Sequence, residues 1–341
     1  MNPLNVGVVG ATGAVGRTII SILAEREFPV KEIRLFASSR SAGKILDTPW
    51  GPVTIEDLAI ADPSGVDIAL FSAGGDRSRE FAPKFAAAGA VVIDNSSAFR
   101  MEPDVPLVVA DVNDEAIVDR PRGIVANPNC TTMDLMMAAG PLHRAAGLKS
   151  MVATSYQSVS GSGMAGVDEL LRQTDWLRTN PDALREGGFE EPDSEVYVAP
   201  IAFNVIPFAG SEKDEGYTDE EWKLVYESRK ILDSPEIEVE PTCVRVPVVT
   251  GHGIAATMWF DRDIDIDEAK AVLAAAPGVQ VWTEDVPTPL DSAGIDDVLV
   301  GRLRNTVGVP GGLNLWVVGD NLRKGAALNA VQLAELVGSE G

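Results

Sequence analysis

The sequence is poor in the residues that build metal centres and covalent staples. Of 341 residues only two are cysteine, Cys130 and Cys243, and only two are histidine, His143 and His252. With no Cys-x-x-Cys pair and so few histidines, the usual zinc sets are excluded and no metal is expected. The chain opens "MNPLNVGVVG", with no basic segment and no long apolar core of a secretory signal. Both cysteines are therefore expected as reduced thiols in a cytoplasmic protein, not as a disulfide. Long apolar runs are missing as well. No stretch approaches the roughly 20 apolar residues of a membrane helix, so no membrane partner is expected. Basic charge is scarce: 28 Lys and Arg against 51 Asp and Glu leave a net charge of -23. Such a field repels nucleic acid, and a site for a phosphorylated small molecule must gather its own Arg and Lys locally.

Short apolar runs alternate with amphipathic stretches through the first third: "LNVGVVG", "AVGRTIISILAERE", "EIRLFAS", "VDIALFSAGG", a helix-like "RSREFAPKFAAAG" and "AVVIDNSSAFR". Parallel neighbours need a crossover, usually a helix, so this order predicts βαβ units in a doubly wound α/β half. After "GIVANPNC" the pattern changes. A helix over "TTMDLMMAAGPLHRAAG" leads to a long strand, "LKSMVATSYQ", that runs into a Ser/Gly loop. The Pro-, Gly- and acid-rich stretch from about 180 to 218 is expected as loops. "IEVEPTCVRVPVV", "IAATMWFD", "VLVGRLRN" and "LNLWVVGD" read as strands with few helices between them. They suit a mixed or mostly antiparallel sheet with one covered face, in an α+β second domain. The helical pattern of "NLRKGAALNAVQLAELVG" is expected to return to the first domain.

Gly10, Gly13 and Gly16 follow the first strand and open the first helix. That is where a dinucleotide pyrophosphate meets free backbone N–H groups, although a GxxGxxG trio equally suits a tight βα turn. In NAD-preferring folds of this type a carboxylate about 20 positions further on takes the ribose 2′-OH. Here the second strand ends in "ASSRSAG", with Ser38, Ser39 and Arg40 and no acid. The set suits a 2′-phosphate and so NADP(H); the alternative is an exposed loop arginine.

Cys130 stands in "ANPNCTT", just ahead of a helical pattern, where free amides and the macrodipole stabilise a thiolate. Most free cysteines are instead small buried hydrophobes, and Cys243 in "PTCVRVPV" is read that way. A thiolate beside a nicotinamide attacks a carbonyl and gives a thioester carbon able to exchange a hydride. Such chemistry needs a proton shuttle. His252, set between glycines in "TGHGI" on an expected turn, suits that role better than His143 inside an amphipathic helix. Gln157, where the long strand ends, is either an amide that orients a substrate or an ordinary strand residue. Charge for an anionic substrate comes from Arg100 in "DNSSAFR" and from Arg245, which interrupts an otherwise apolar strand. Thr218 and Glu221 in "TDEEWK" form a capping box, whereas Glu220 and Lys223 share a helix face as a surface pair or as part of a site.

The segments "GATGAVG", "SSRSAG", "FSAGG", "DNSSAFR", "NPNCTT", "SYQSVSGSG", "EEWK", "RVPVVTGH" and "GDNLRKGAA" run in order from residue 7 to about 330. Together they resemble the aspartate-semialdehyde dehydrogenase family. The resemblance implies a Rossmann-type NADP-binding domain, residues 1–129 and 321–341, and an α+β catalytic and dimerisation domain, residues 130–320, with a mixed sheet. It implies NADPH-dependent conversion of L-aspartyl 4-phosphate to L-aspartate 4-semialdehyde and inorganic phosphate by a homodimer. That step leads toward lysine through diaminopimelate, and toward threonine, methionine and isoleucine. By the same resemblance Cys130 is the nucleophile, His252 the acid/base and Gln157 the residue that orients the acyl group. Arg245 would hold the substrate carboxylate, Glu220 its ammonium group, and Arg100 and Lys223 its phosphate. The implied cofactor contacts are Gly10, Thr12, Gly13, Ala14 and Val15 at the pyrophosphate, Ser39 and Arg40 at the 2′-phosphate, and Asn321 near the nicotinamide. A catalytically silent NADP-binding protein would need the glycine turn but not Cys130, Gln157 and His252 together.

Overall fold

The computed structural model describes residues 1–186 and 193–340. The chain divides into two compact units: residues 1–140, 226–235 and 322–341 form one, and residues 141–225 and 236–321 the other.

In the first unit the apolar run Leu4–Val9 forms β1, crosses over through α1 (Ala14–Glu25) and returns as β2 (Val30–Ala37), parallel to β1. A hairpin that the sequence reading passed over follows, β3 (Ile45–Thr48) and β4 (Gly51–Asp57). Then come β5 (Ile68–Phe71), α2 (Gly75–Ala87), β6 (Val91–Asp94) and β7 (Ile124–Ala126). The sheet order is β3-β4-β2-β1-β5-β6-β7, parallel everywhere except at β3. Because β1 has β2 on one side and β5 on the other, the winding reverses there, and the crevice outside the carboxyl end of such a strand is where ligands bind. Ile19, Ile22 and Leu23 of α1 are fully buried in this unit's core; burying each contributes about 1.5–3 kcal/mol. Phe36 and Phe71 each meet Phe85 of α2 edge-on at 5.2 Å.

Next comes α3 (Cys130–Ala146), and the second unit's first strand is β8 (Leu148–Gln157). The Ser/Gly segment after β8 is a single tight turn, Val159–Ser162, that enters α4 (Gly163–Thr179), a helix the sequence reading did not anticipate. The expected loops from about 180 to 218 are interrupted by the short α5 (Ala183–Glu186); residues 187–192 lie outside the described ones, and 193–218 holds only turns and the isolated bridges Ile206–Arg245 and Glu212–Thr218. The capping box is present ahead of α6 (Asp219–Ile231): Thr218 N–H donates to Glu221 Oε2 at 2.7 Å and Glu221 N–H to Thr218 Oγ1 at 3.3 Å. The remaining elements are β9 (Glu238–Arg245), β10 (His252–Phe260), α7 (Ile266–Ala274), β11 (Val279–Trp282), α8 (Pro289–Ser292), β12 (Val298–Asn305) and β13 (Gly312–Gly319). Their sheet, ordered β11-β12-β13-β10-β8-β9, is mixed: β8 with β9 and β11 with β12 run parallel, the other pairs antiparallel.

The chain then re-enters the first unit. After a π-helical turn at Arg323–Ala327, α9 (Leu328–Gly338) places Leu328, Ala330, Val331, Leu333 and Ala334 in the core beside Ile19 and Ile22.

Candidate active site

At the carboxyl end of β1 a cleft of about 370 Å³ is lined by Gly10, Thr12, Gly13, Ser38, Arg40, Ser41, Lys44 and Arg77, among others. Ala14, Val15 and Ser39 are not among its lining residues. Lys44 and Arg77 were not picked out from the sequence, although Lys44 lies only four residues beyond Arg40. Among the described residues no carboxylate lines the cleft. The three glycines of the turn do different work. Gly10 has φ +88°, and a Cβ there would fall 2.1 Å from the Ser72 carbonyl oxygen. A Cβ on Gly16 would fall 2.3 Å from the Gly10 carbonyl oxygen, so α1 can approach its own turn only through glycine. Gly13 is the N-cap, with no side-chain cap and no acid in the first turn, which leaves that helix end open to an anion. Gly16→Ala is therefore expected to cost about 1–3 kcal/mol in a thermal denaturation experiment, through forced backbone movement. Gly13→Ala, whose Cβ would meet only the Gly10 oxygen at 3.4 Å, is expected to leave stability almost unchanged.

Cys130 is partly buried, forms no disulfide and is the first residue of α3. The cap is supplied one residue earlier: Asn129 Oδ1 accepts from Thr131 N–H at 3.0 Å and from Thr132 N–H at 3.4 Å. Arg100, in the same unit, is buried and faces protein acceptors on all three guanidinium nitrogens. Nε donates to the Asn127 carbonyl at 2.9 Å, Nη1 to Glu227 Oε1 at 3.0 Å and Nη2 to the Asn95 carbonyl at 2.8 Å.

The second unit gathers the remaining candidates. Gln157 and Arg245 are register partners at the ends of the parallel strands β8 and β9. Gln157 Nε2 donates to Glu220 Oε2 at 3.3 Å, and Lys223 Nζ donates to Glu220 Oε1 at 2.6 Å and to Asp219 Oδ2 at 2.7 Å. Burial works against the Lys223 cation, but the Glu220 and Asp219 carboxylates more than offset it and hold its pKa up at about 12. Arg245 Nη1 donates to the Ser158 carbonyl at 2.7 Å, and its guanidinium lies 5.8 Å from the centre of the Tyr197 ring. Its Nε is buried and has no hydrogen-bond partner among the described residues. A donor left over in this way is what an incoming carboxylate would take.

His252 was expected on a turn; it is instead the first residue of β10, fully buried, and Gly251, with φ +92°, makes the turn. Nδ1 accepts from the Ser158 backbone N–H at 3.1 Å. A backbone amide can only donate, so the proton of the neutral ring is on Nε2. Burial first, and then the Arg245 cation, push the imidazole pKa down to about 3, against a smaller upward pull from Glu220. Gly161 passes against both groups: a Cβ there would lie 3.2 Å from Arg245 Nη1 and 3.6 Å from His252 Nε2. Asn321 is buried and holds this turn together. Its Oδ1 accepts from Gly251 N–H at 2.9 Å and from Ser158 Oγ at 3.0 Å, and its Nδ2 donates to Ser160 Oγ at 2.9 Å. Ser158 and Ser160 thus join the site, with the "SVSGSG" run as the only sequence trace of them.

Residues 5–120 match the family model of a semialdehyde dehydrogenase NAD binding domain, and residues 140–324 that of a semialdehyde dehydrogenase dimerisation domain. The chain is 55% identical over 341 residues to the aspartate-semialdehyde dehydrogenase of Streptomyces akiyoshiensis, covering 99% of each chain. It is 51% identical over 346 residues to that of Mycolicibacterium smegmatis, again covering 99% of each. The chain belongs to the aspartate-semialdehyde dehydrogenase family. It is an oxidoreductase of amino-acid biosynthesis with that family's Rossmann-type domain and dimerisation domain. Its fold matches the crystal structure of aspartate semialdehyde dehydrogenase II of Vibrio cholerae complexed with ASA, at a TM-score of 0.95 and 46% identity over 100% of this chain and 99% of that one.

Proposed function

We propose that the chain reduces L-aspartyl 4-phosphate to L-aspartate 4-semialdehyde with release of inorganic phosphate, using NADP(H) and a thioester on Cys130. The observation that carries this reading is the setting of Cys130: a cysteine outside any disulfide at the first position of α3, behind an asparagine that already caps the helix, so the sulfur is not needed for the cap. Arg40, Lys44 and Arg77 in a cleft without carboxylates, in a chain of net charge -23, support a cofactor that carries a 2′-phosphate. Ala14, Val15 and Ser39 remain proposed contacts, and Asn321 is proposed to sit near the nicotinamide.

Bound NADPH supplies the hydride that reduces the thioester carbon. The chain's own residues do the rest. The Cys130 sulfur attacks the acyl carbon; the C–S bond forms as the bond to the phosphate oxygen breaks. Arg100 and Lys223 hold the departing phosphate, Arg245 the α-carboxylate, Glu220 the ammonium group, and Gln157 orients the acyl oxygen. His252 Nε2–H donates a hydrogen bond to that oxygen as it gains charge, and as the thiohemiacetal oxyanion collapses the C–S bond breaks, the aldehyde leaves and the sulfur returns as a thiolate.

The assay is run in reverse, following reduced nicotinamide from L-aspartate 4-semialdehyde, NADP and inorganic phosphate. NADPH is expected to form only when phosphate is present, and NAD in place of NADP to lower kcat/KM about 10-fold or more. Arg40→Ala is expected to raise the KM for NADP about 10-fold with kcat nearly unchanged. Equal rates with NAD would overturn the cofactor assignment, and a phosphate-independent rate the acyl-phosphate chemistry. A homodimer completes the proposal, supported by the dimerisation-domain model matched by residues 140–324; light scattering is expected to give twice the mass of one chain.

A further inference from the structure

We propose that Glu227 is a positioning residue for phosphate displacement, because its single carboxylate fixes both the guanidinium of Arg100 and the backbone of the turn that carries Cys130. The inference rests on the roles proposed above for those two residues. Glu227 Oε1 accepts from Arg100 Nη1 at 3.0 Å, and Oε2 accepts from the Asn129 backbone N–H at 2.7 Å. The side chains of Glu227 and Arg100 are only 2% and 9% exposed, so neither bond is diluted by water.

The other two anchors of Arg100 are themselves tied down. The carbonyls of Asn95 and Asn127 receive its Nη2 and Nε, while the Asn127 side chain donates to Asn95 Oδ1 at 2.7 Å and accepts from Asn329 Nδ2 at 2.7 Å. One N–H on each guanidinium nitrogen is thus spent on protein, and the second N–H of Nη1 and of Nη2 is kept for an anion. Those carbonyls are neutral; Glu227 is the carboxylate in direct ion-pair contact with the guanidinium, while Asp94 feels it without a hydrogen bond. At its other oxygen Glu227 holds Asn129, the residue whose side chain caps α3 ahead of Cys130. A buried ion pair contributes little net stability over a well-packed apolar pair. What only a carboxylate provides here is an acceptor oxygen for each of two donors of fixed direction.

The test is Glu227→Gln in the full-length enzyme. A side-chain amide has one oxygen, so however it turns its NH2 must face either Arg100 Nη1 or the Asn129 N–H, both of them donors, and one bond is lost. In the phosphate-dependent oxidation of L-aspartate 4-semialdehyde, the KM for inorganic phosphate is expected to rise about 10-fold or more while the KM for NADP stays within about 2-fold. Arg100→Gln is made alongside: the double variant is expected to show a phosphate KM no higher than Arg100→Gln alone, since the effect of Glu227 on phosphate binding, as distinct from its hold on the Cys130 turn, runs through Arg100. Should Glu227→Gln not yield folded protein, Glu227→Asp, which keeps the charge but falls a methylene short, takes its place with the same expectation. A phosphate KM within about 2-fold of the parent, or one that rises in step with the NADP KM, overturns the proposal. A parent enzyme that ignores phosphate would instead sink the acyl-phosphate reading, and that result appears before any variant is made.

Discussion

Cys130→Ser is expected to lower kcat by about 10⁴-fold or more, because a serine oxygen in the same place has no comparable tendency to ionise near neutral pH. Its melting temperature should stay within about 2 °C of the parent. The second expectation follows from who caps the helix. Asn129 supplies the acceptor for Thr131 and Thr132, so the exchange of sulfur for oxygen leaves α3 anchored as before. Cys243 provides the contrast. It is fully buried in β9, and burial pushes its thiol pKa up to about 12, beyond the reach of alkylating reagents at neutral pH. Cys243→Ala is expected to cost about 1–3 kcal/mol of stability and to leave kcat intact. Iodoacetamide labelling followed by peptide mapping should find its first adduct on Cys130. If Cys130→Ser kept more than about one hundredth of the parent rate, the nucleophile would have to be sought elsewhere.

His252→Asn is expected to lower kcat by about 10²–10⁴-fold and to change how the protein answers acid. Asparagine is the useful replacement because its Oδ1 can stand in for Nδ1 as acceptor of the Ser158 N–H, so the turn has a means of surviving. In the parent the ring has a pKa near 6.5 when unfolded and about 3 when folded, held down by burial and by Arg245. Between those values the unfolded chain binds a proton that the native chain does not. The contribution of His252 is therefore intact above about pH 6.5 and is lost as the pH falls toward 3. The loss is a few kcal/mol once the ring must be charged. Denaturant melts at neutral and mildly acidic pH should show the parent losing more of its unfolding free energy than His252→Asn does. Parallel losses in the two proteins would mean that the ring is not held neutral in the native state.

How much of this could be read beforehand depended on whether the signal was local. The first βα unit was legible because an apolar run, a glycine turn and a helical pattern occur within 25 residues of one another. The capping box at Thr218 and Glu221 was legible for the same reason, since both partners lie within one helical turn. The helix α4 was missed because its buried face is not apolar throughout. Glu169 and Gln173 are buried in it, and they accept from the backbone N–H groups of Glu195 and Val196 and of Ile201 and Ala202 respectively, at 2.7 to 3.2 Å. A reading by hydrophobic period places such residues at the surface. The β3–β4 hairpin was missed because both strands are half exposed and contribute little to the core. His143, read from its place in an amphipathic helix as a structural or surface residue, has its Nδ1 accepting from the Leu148 N–H at 3.0 Å where α3 hands over to β8. Arg100 was visible as a charge beside hydroxyls, but its partner Glu227 lies 127 residues away in sequence, and no local pattern connects the two. The depressed pKa of His252 was equally out of reach, because it depends on Arg245 from a neighbouring element and on complete burial.

The first unit is drawn from three separated stretches of chain, and that imposes an order on its birth. Its core stays open where α9 belongs until residues 328–338 have left the ribosome, long after β1 to β7 have been made. At about 5–20 residues per second, the roughly 200 residues separating the two leave the nascent sheet waiting on the order of ten seconds or more with apolar surface uncovered. Damage at the far end of the gene should therefore be felt at the near end of the fold. A nonsense codon shortly after β13 would strip the dinucleotide half of its lid while sparing the strands translated just before it.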